Sequence, residues 1–361
     1  MKNLRTEKEI ISQWQQGHIE PMVSICCITY NHEKYIADAI ESFLIQETDF
    51  PFEILIHDDA STDRTANIVR EYEDRYPNLI KPIYQTENQY SQGKRVGLFN
   101  TNRAEGKYIA FCEGDDYWTD SHKLKIQFEF LEANPEYSFC HSEHDYMDMI
   151  IGKKTHNRWK TLNICNDSGN NWAKLIISDQ HIICTCTAFV RTATLKAILL
   201  EHAEDFDSRY LMGDNQMWFH LARRGKVKYF QKSMVVYRRV MNSATATDDN
   251  IKRYRFIKNV YWQRRSFAER YNYKEVLPKI DRIYLNSLLR LAVLSRDRNG
   301  MMEYAARLTK LGFWDDKMKG VQFAARHNWF FLLHSYYILK NILKKSLNAS
   351  LLRAINIGHF K

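Results

Sequence analysis

The sequence predicts an α/β fold with a mostly parallel central sheet flanked by helices, followed by a helical extension. Three observations predict it. Short apolar runs alternate with segments of helical spacing through the first half, a polar loop closes each apolar run, and the pattern turns almost wholly helical after about Asn250. At 361 residues the chain is longer than one hydrophobic core usually organises, so one full-sized domain with an appendage is expected.

The elements follow in order. Val23 to Ile28 is an apolar strand, Thr29-Tyr30-Asn31-His32 a polar loop, and Tyr35, Ile36, Ala39, Ile40, Phe43 and Leu44 repeat at helical spacing. The unit recurs: Phe52 to His57 reads as a buried strand, Asp58-Asp59-Ala60-Ser61 as a loop, and Thr62 to Tyr76 as a helix capped by Ser61 or Thr62. A strand at Leu79 to Tyr84, a polar excursion through Gly97 and a strand at Tyr108 to Cys112 complete the first half. Strands alternating with helices favour a parallel sheet, which binds ligands at the carboxyl ends of its strands. Beyond it the spacing predicts a helix over 124–131, strands over 137–142, 182–190, 227–230 and 234–238, and a helix over 215–223. The polar stretch from Asp148 to Asn171 reads as a loop region.

Two acidic clusters stand where strands stop: Asp58-Asp59, and Glu113-Gly114-Asp115-Asp116. In a parallel sheet both lie on the same edge. Clustered carboxylates repel one another, and a hard divalent cation such as Mg2+ or Mn2+, shared with substrate phosphates, is the usual way to hold them together.

These motifs, in this order, resemble family 2 glycosyltransferases of the GT-A nucleotide-diphospho-sugar transferase fold. The resemblance rests on Val23-Ser24-Ile25 leading into Thr29-Tyr30-Asn31, on Asp58-Asp59-Ala60-Ser61-Thr62-Asp63, and on Gly106-Lys107-Tyr108-Ile109-Ala110-Phe111 running into Glu113-Gly114-Asp115-Asp116-Tyr117-Trp118. It covers roughly residues 20 to 140, and more loosely extends to about 245. It implies a catalytic domain (21–245, with a nucleotide-binding half to 125 and an acceptor half from 126), between an N-terminal helical segment (1–20) and a basic helical region (246–361) that are read from pattern and composition. It further implies that Thr29, Tyr30, Asn31 and Asp58 or Asp59 hold the nucleoside, and that Glu113-Gly114-Asp115 stands for the family's D-x-D motif. Asp115 and Asp116 are then the metal ligands, for Mn2+ or Mg2+. Met212-Gly213-Asp214-Asn215 resembles the motif whose aspartate is the catalytic base, although an aspartate opening a helix is equally explained as its cap. The activity implied is inverting transfer from a nucleoside-diphosphate sugar, a UDP-sugar above all, to a saccharide or lipid-linked saccharide in surface polysaccharide synthesis.

The sequence departs from the family pattern at four positions. Ile28 stands for a common proline, Ala60 for a glycine and Glu113 for an aspartate. Val240 stands for a histidine near the diphosphate, and Arg238 or Arg239 is the candidate to supply positive charge there. Other readings stay open: Trp118 as a sugar platform or core, His141 and His144 as a polar wall of the acceptor cleft or plain surface, and Cys184 and Cys186 on one face of a strand as core.

Charge and composition narrow the class. The net charge of +9 is split, because residues 1–251 hold 29 Lys/Arg against 36 Asp/Glu and residues 252–361 hold 23 against 7. The acidic body carries a basic tail, and charge alone does not choose among nucleic acid, anionic lipid or neither for that tail; the acidic cleft opposes phosphate, and so nucleic acid, unless a metal intervenes. In the tail, Trp329 to Leu333 and Tyr336 to Leu339 precede Lys340, Lys344 and Lys345, which suits a helix on an anionic membrane surface; packing on the catalytic domain or on a second subunit is the alternative. Seven cysteines without a C-x-x-C pair read as free thiols. Met1 to Gln16 lacks an apolar signal core, so the expected place is the cytoplasm, with peripheral attachment to the inner face of the membrane through the tail. A sugar nucleotidylyltransferase would need a Gly-rich, basic loop after the first strand, and Thr29-Tyr30-Asn31-His32 is not one. A non-catalytic scaffold built on the tail leaves both acidic clusters unexplained.

Overall fold

The computed structural model describes residues 4–15, 20–157, 171–178, 183–207, 209–240, 249–313 and 327. The chain forms two units, residues 1–240 and 241–361.

The first unit opens with helix α1 (Glu7–Ile11), closed by a capping box between Thr6 and Glu9. Strand β1 (Val23–Thr29) is buried along almost its whole length, as a strand covered on both faces must be. It leads to α2 (Ile36–Leu44), whose Ile36, Ala39, Ile40, Phe43 and Leu44 face the core. Strand β2 (Phe52–Asp58) is wholly buried and pairs parallel with β1, placing Thr29 level with Asp58. Helix α3 (Thr65–Arg75) starts later than the sequence predicts, because Asp63 turns back to accept from the Thr65 backbone N–H and neither Ser61 nor Thr62 caps it. Strand β3 (Ile80–Tyr84) then flanks β2. The polar excursion holds helix α4 (Gly97–Arg103), whose Asn100 donates from the buried side chain to the carbonyls of Cys27 and Leu55. Strand β4 (Tyr108–Phe111) pairs parallel with β1 on its other side.

The remaining strands extend the sheet. They are β5 (Tyr117–Trp118), β6 (Tyr137–Asp148), β7 (Lys153–Thr155), β8 (Phe189–Arg191) and β9 (Lys226–Arg239). Helix α5 (Lys123–Ala133) lies between β5 and β6, with α6 (Trp172–Ser178), α7 (Thr192–Glu201) and α8 (Asn215–Arg224) further on. Among the described residues the sheet has nine strands, in the order β3-β2-β1-β4-β8-β6-β9-β5, with β7 paired to β6. Strands β3, β2, β1 and β4 run parallel, β8 is antiparallel to both neighbours, and β6 and β9 are parallel again.

Several sequence expectations change here. The strand expected over 182–190 is only β8, because Thr185–Thr187 forms a 3-10 turn. The two strands expected over 227–230 and 234–238 are one, β9, bulged between Phe230 and Val235. The sequence break arises because Gln231, Lys232 and Ser233 interrupt the apolar pattern at that bulge. Asp148 ends β6, and the stretch after it begins with a hairpin to β7.

The second unit, described by itself, has three α-helices among its described residues: α9 (Asn250–Arg270), α10 (Leu277–Ser295) and α11 (Arg298–Lys310). Asp249 and Asp297 cap the first and last. Leu285, Leu289, Ala292, Val293, Met301, Ala305 and Leu308 form their core. The apolar and basic segment from Trp329 to Lys345 lies outside the described residues. No helix among the described residues is long and apolar enough to cross a membrane.

Candidate active site

The two loops that follow β1 and β2 are stitched to each other. The Asn31 N–H donates to Ser61 Oγ (2.9 Å), and Thr62 N–H returns a bond to Asn31 Oδ1 (2.8 Å). His32 N–H reaches Thr65 Oγ1 (2.8 Å) and Glu33 N–H reaches Asp63 Oδ2 (3.1 Å). Asn31 and Ala60 both adopt left-handed backbone, with φ of 55° and 62°. Asparagine accepts that conformation readily; alanine does so at about 1–2 kcal/mol, which is the strain a glycine would avoid. Tyr30 is left exposed beside the stitched loops.

Asp58 and Asp59 are both buried, and both carboxylates are occupied. Asp58 accepts from Ser61 N–H (3.3 Å) and Ser61 Oγ (2.5 Å). Asp59 accepts from the backbone N–H groups of Gln89 (2.8 Å) and Tyr90 (3.0 Å), with His57 Nε2 at 3.5 Å. Asp59 therefore fixes the 88–90 loop over the carboxyl edge of the sheet.

The second acidic cluster is drawn tight against β1. Gly114 N–H donates to the Ile28 carbonyl (2.9 Å), and a Cβ at Gly114 would stand 2.7 Å from Thr29 Oγ1, so glycine is required by this close approach. Glu113, Asp115 and Asp116 then crowd together. Glu113 and Asp116 offer oxygens within 4.8 Å of each other and of Cys186 Sγ. Burial first, and then the neighbouring Asp115 carboxylate, raise the Glu113 carboxyl above its ordinary range and the Asp116 carboxyl well above it. The Cys186 thiol is likewise pushed up by burial, and a soft sulfur is a poor partner for a hard cation. What remains is an all-oxygen set of crowded carboxylates, which fits a hard divalent cation such as Mg2+ or Mn2+.

Asp214 belongs to the same electrostatic neighbourhood, since its charge contributes to raising Glu113. It occupies the N-cap position of α8, yet its carboxylate makes no capping bond. Instead Asp214 Oδ2 accepts from Thr185 Oγ1 (3.0 Å) on the 3-10 turn.

The two arginines part company. Arg238 donates its backbone N–H to Asp116 Oδ1 (2.7 Å) and its guanidinium to the Asp115 carbonyl (3.2 Å), pairs with Asp38 of α2, and stacks 4.3 Å from the Tyr117 ring centre. Arg239, one residue on and therefore on the other face of the strand, pairs with Asp148 at 2.9 Å. Arg239 is not brought to the acidic cluster, which corrects its place among the donor-site candidates.

Three further sequence readings are narrowed by the structure. Trp118 is 1% exposed; it donates to the Cys186 carbonyl (3.0 Å) and packs edge-on against Phe43, so it is core and not a sugar platform. His141 and His144 are buried, which removes the plain-surface reading. Cys184 and Cys186 lie on the 3-10 turn and its approach, with their sulfurs 3.4 Å apart.

Some site residues escaped sequence reasoning. His32 bridges the two motifs, with Nδ1 3.2 Å from Thr29 Oγ1 and Nε2 3.9 Å from Asp115 Oδ2. Arg95 donates to the Phe206 and Tyr210 carbonyls (3.3 and 2.6 Å) and also to the Asp207 carbonyl, bracing the segment that leads to Asp214. His32 sat visibly in the polar loop after β1; nothing in the pattern marked Arg95. Away from the cluster, His202, Asp205 and His220 also come together, but the two imidazoles stack at 4.0 Å and 13°. Their in-plane lone pairs cannot meet at one ion unless a ring turns, so a His220–Asp205 hydrogen bond of 3.0 Å is the sounder reading.

Residues 24–199 match the family model "Glycosyl transferase family 2". This segment is a family 2 glycosyl transferase domain. An uncharacterised protein of Mycobacterium tuberculosis is 46% identical over 118 residues, covering 33% of this chain and 34% of that protein. The poly(ribitol-phosphate) β-N-acetylglucosaminyltransferase TarS of Staphylococcus aureus is 34% identical over 114 residues, covering 31% of this chain and 19% of that one. The structure of TarS residues 1–349 with UDP-GlcNAc aligns with a TM-score of 0.50 at 17% identity, over 85% of this chain and 92% of that one. A Pyrobaculum calidifontis mannosyltransferase with GDP-Man and Mn2+ aligns with a TM-score of 0.50 at 19% identity, over 89% and 91%. At such identities the two structures show a shared GT-A-like fold. The chain spans about a third of the length of the mycobacterial relatives that it matches.

Proposed function

We propose that the chain is an inverting, metal-dependent glycosyltransferase that moves a sugar from a UDP-sugar to a saccharide or lipid-linked saccharide during surface polysaccharide assembly. The observation that carries this reading is the convergence of Glu113, Asp115, Asp116 and Asp214 in one neighbourhood at the carboxyl edge of the sheet, within a family 2 domain.

Each residue has a task in that reading. The stitched loops bearing Thr29, Tyr30, Asn31 and Asp58 hold the nucleoside, and Asp59 acts on it through the 88–90 loop. Asp115, with Glu113 and Asp116, would hold Mn2+ or Mg2+, which when bound offsets charge growing on the leaving diphosphate. Arg238 anchors that carboxylate loop to α2 and β5 and adds positive potential beside the diphosphate. Asp214, oriented by Thr185, accepts the proton from the acceptor hydroxyl on the face of the sugar opposite the leaving group. A single in-line displacement of this kind inverts the anomeric centre. The relatives, a poly(ribitol-phosphate) β-N-acetylglucosaminyltransferase with UDP-GlcNAc and a mannosyltransferase with GDP-Man, support a nucleoside-diphosphate sugar as donor and a polymer as acceptor.

The test is a panel of UDP-, GDP- and dTDP-sugars with the purified protein, with Mn2+, Mg2+ or EDTA, scored by slow donor hydrolysis and by the anomeric configuration of any transfer product. Cation-dependent hydrolysis of one donor class with inverted product is expected. Hydrolysis undiminished in EDTA, or a retained configuration, overturns the reading.

A further inference from the structure

The hairpin that joins β6 to β7 carries a feature the catalytic site does not use. Met149, Ile150 and Ile151 at its tip are 37%, 39% and 36% exposed. Among the described residues the other exposed large apolar side chains, such as Tyr30, Tyr90, Leu200 and Leu211, are scattered singly, and single ones need no explanation. Three in succession at a turn do, because turns favour Gly, Asn, Asp and Ser.

The tip is built, not frayed. Asp148 Oδ1 accepts from the Ile150 and Ile151 N–H groups (3.0 and 3.3 Å), Met149 N–H donates to the Arg239 carbonyl (3.1 Å), and Gly152 supplies the left-handed turn at φ 65°. Behind it the chain turns basic: from Met149 to Asn157 there are Lys153, Lys154 and His156, and no carboxylate. Strand β7 is exposed along its whole length, and Lys154 and His156 are held by Asp145 of β6 at 3.1 and 2.8 Å. The register sets the direction. Strand β6 runs parallel to β9 with Asp148 level with Arg239, and the preceding residue of β9, Arg238, is bonded to the acidic loop. The hairpin therefore projects from the edge of the sheet that carries the candidate active site.

We propose that this tip is a membrane-seating element: Met149, Ile150 and Ile151 enter the interface of an anionic lipid bilayer while the β7 lysines meet the headgroups. Apolar side chains at an apex with basic groups one step behind match the layering of an anionic bilayer surface, where hydrocarbon lies beneath phosphate. A protein partner or a second copy would have to bury the apex against apolar surface and would have no use for the basic step. Seating the domain there would turn the donor edge of the sheet toward the lipid surface. The proposal does not rest on the glycosyltransferase reading, because it is read without donor or acceptor, so the two fail separately. It is also distinct from the basic residues beyond 320, which the same experiment separates.

The test is co-sedimentation of the full chain with vesicles of phosphatidylcholine alone or with 30% phosphatidylglycerol (about one lipid in three charged), at low and high salt. The compared variants are Ile150→Ser with Ile151→Ser, and Lys153→Glu. Wild type is expected to bind the anionic vesicles and to be weakened by salt. The double serine variant is expected to lose about tenfold or more in partitioning, and Lys153→Glu severalfold, with melting temperature unchanged in both. Wild type that stays in the supernatant, or a double variant that binds as well as wild type because the C-terminal residues suffice, overturns the proposal. So does a wild-type dimer in solution that the serines dissociate, since the apex would then be covered by a second copy.

Discussion

The two acidic clusters at the carboxyl edge of the sheet look alike in sequence and differ in physical state. In the loop after β2, Asp58 and Asp59 are buried but answered: every contact described above is a donor aimed at a carboxylate oxygen. In the loop after β4, Asp116 is buried with Glu113 and Asp115 half-buried beside it, and burial first, then repulsion from Asp115, raises Glu113 and Asp116 toward the neutral form. Asp116 receives one N–H, from Arg238, which burial and its neighbours outweigh. The first loop spends its carboxylates on shape. The second holds carboxylates whose ionisation is opposed until a cation offsets it, which suits a cation site. Burial of an acidic residue thus says little about function until its donors have been counted.

That contrast can be broken experimentally, and the largest effects belong to the second cluster and its neighbour Asp214. Asp214→Asn keeps the shape and the Thr185 bond; transfer is expected to fall by roughly two to four orders of magnitude while donor affinity survives. Near-normal transfer would leave Asp214 with no role beyond opening α8. Asp115→Asn is expected to lose most activity and the thermal stabilisation by Mn2+ together, which a cation titration followed by melting temperature would read.

The next effect has opposite signs in the two loops. A carboxyl raised in the folded state binds protons on folding, so metal-free protein gains stability as pH falls through the raised Glu113 and Asp116 values toward the ordinary carboxylate range. Glu113→Gln should therefore melt higher than wild type in EDTA at pH 8, with the gain vanishing near pH 5. Asp63, in the first loop, is held low by its bonds from Thr65 and Glu33 despite its burial, so its contribution is present at neutral pH and lost as pH falls through its lowered value. Asp59→Asn should cost about 2 kcal/mol in denaturant unfolding, the worth of charged bonds to two backbone donors, and raise the donor KM more than it lowers kcat. A kcat loss as large as that of Asp115→Asn would erase the distinction between the loops. The smallest effect is at Ala60. Replacing it with glycine removes roughly 1–2 kcal/mol of left-handed strain and adds about 0.4–1 kcal/mol of unfolded-chain entropy, for a net gain of about 0.5 kcal/mol by the same unfolding measurement.

Most of the parallel half of the fold was legible because its strands are buried on both faces and its loops carry the motif residues; β1, β2 and β4 were placed to within a residue at either end. The acceptor half was read less well. The Gln231-Lys232-Ser233 interruption looked like a gap between strands, because a bulge and a loop share the same polar signature. Helix α4 was missed because Asn100 and Thr101, buried polar side chains on its inner face, conceal its periodicity. In the site, the acidic clusters and Asp214 were visible as residue types at strand and helix ends. Thr185 and Arg95 were not, since their importance lies in contacts with residues far along the chain. Trp118 was undecided from sequence because a tryptophan after an acidic loop suits either a sugar face or a core, and only burial chooses.

The bulged register of β9 has a consequence for how this site tolerates change. The bulge between Phe230 and Val235 decides which face each following residue presents, and a slip of one position there would exchange the faces of everything downstream. In most strands such a slip would replace the working side chain by something unrelated. Here Arg238 and Arg239 are neighbours, so a slip that advances the strand by one position delivers Arg239 into the slot of Arg238, whereas the opposite slip delivers Tyr237. The doubled arginine makes the position fault-tolerant in one direction: loss of one residue at the bulge keeps a guanidinium beside the acidic loop, while a gain of one does not, so this strand is freer to shorten than to lengthen.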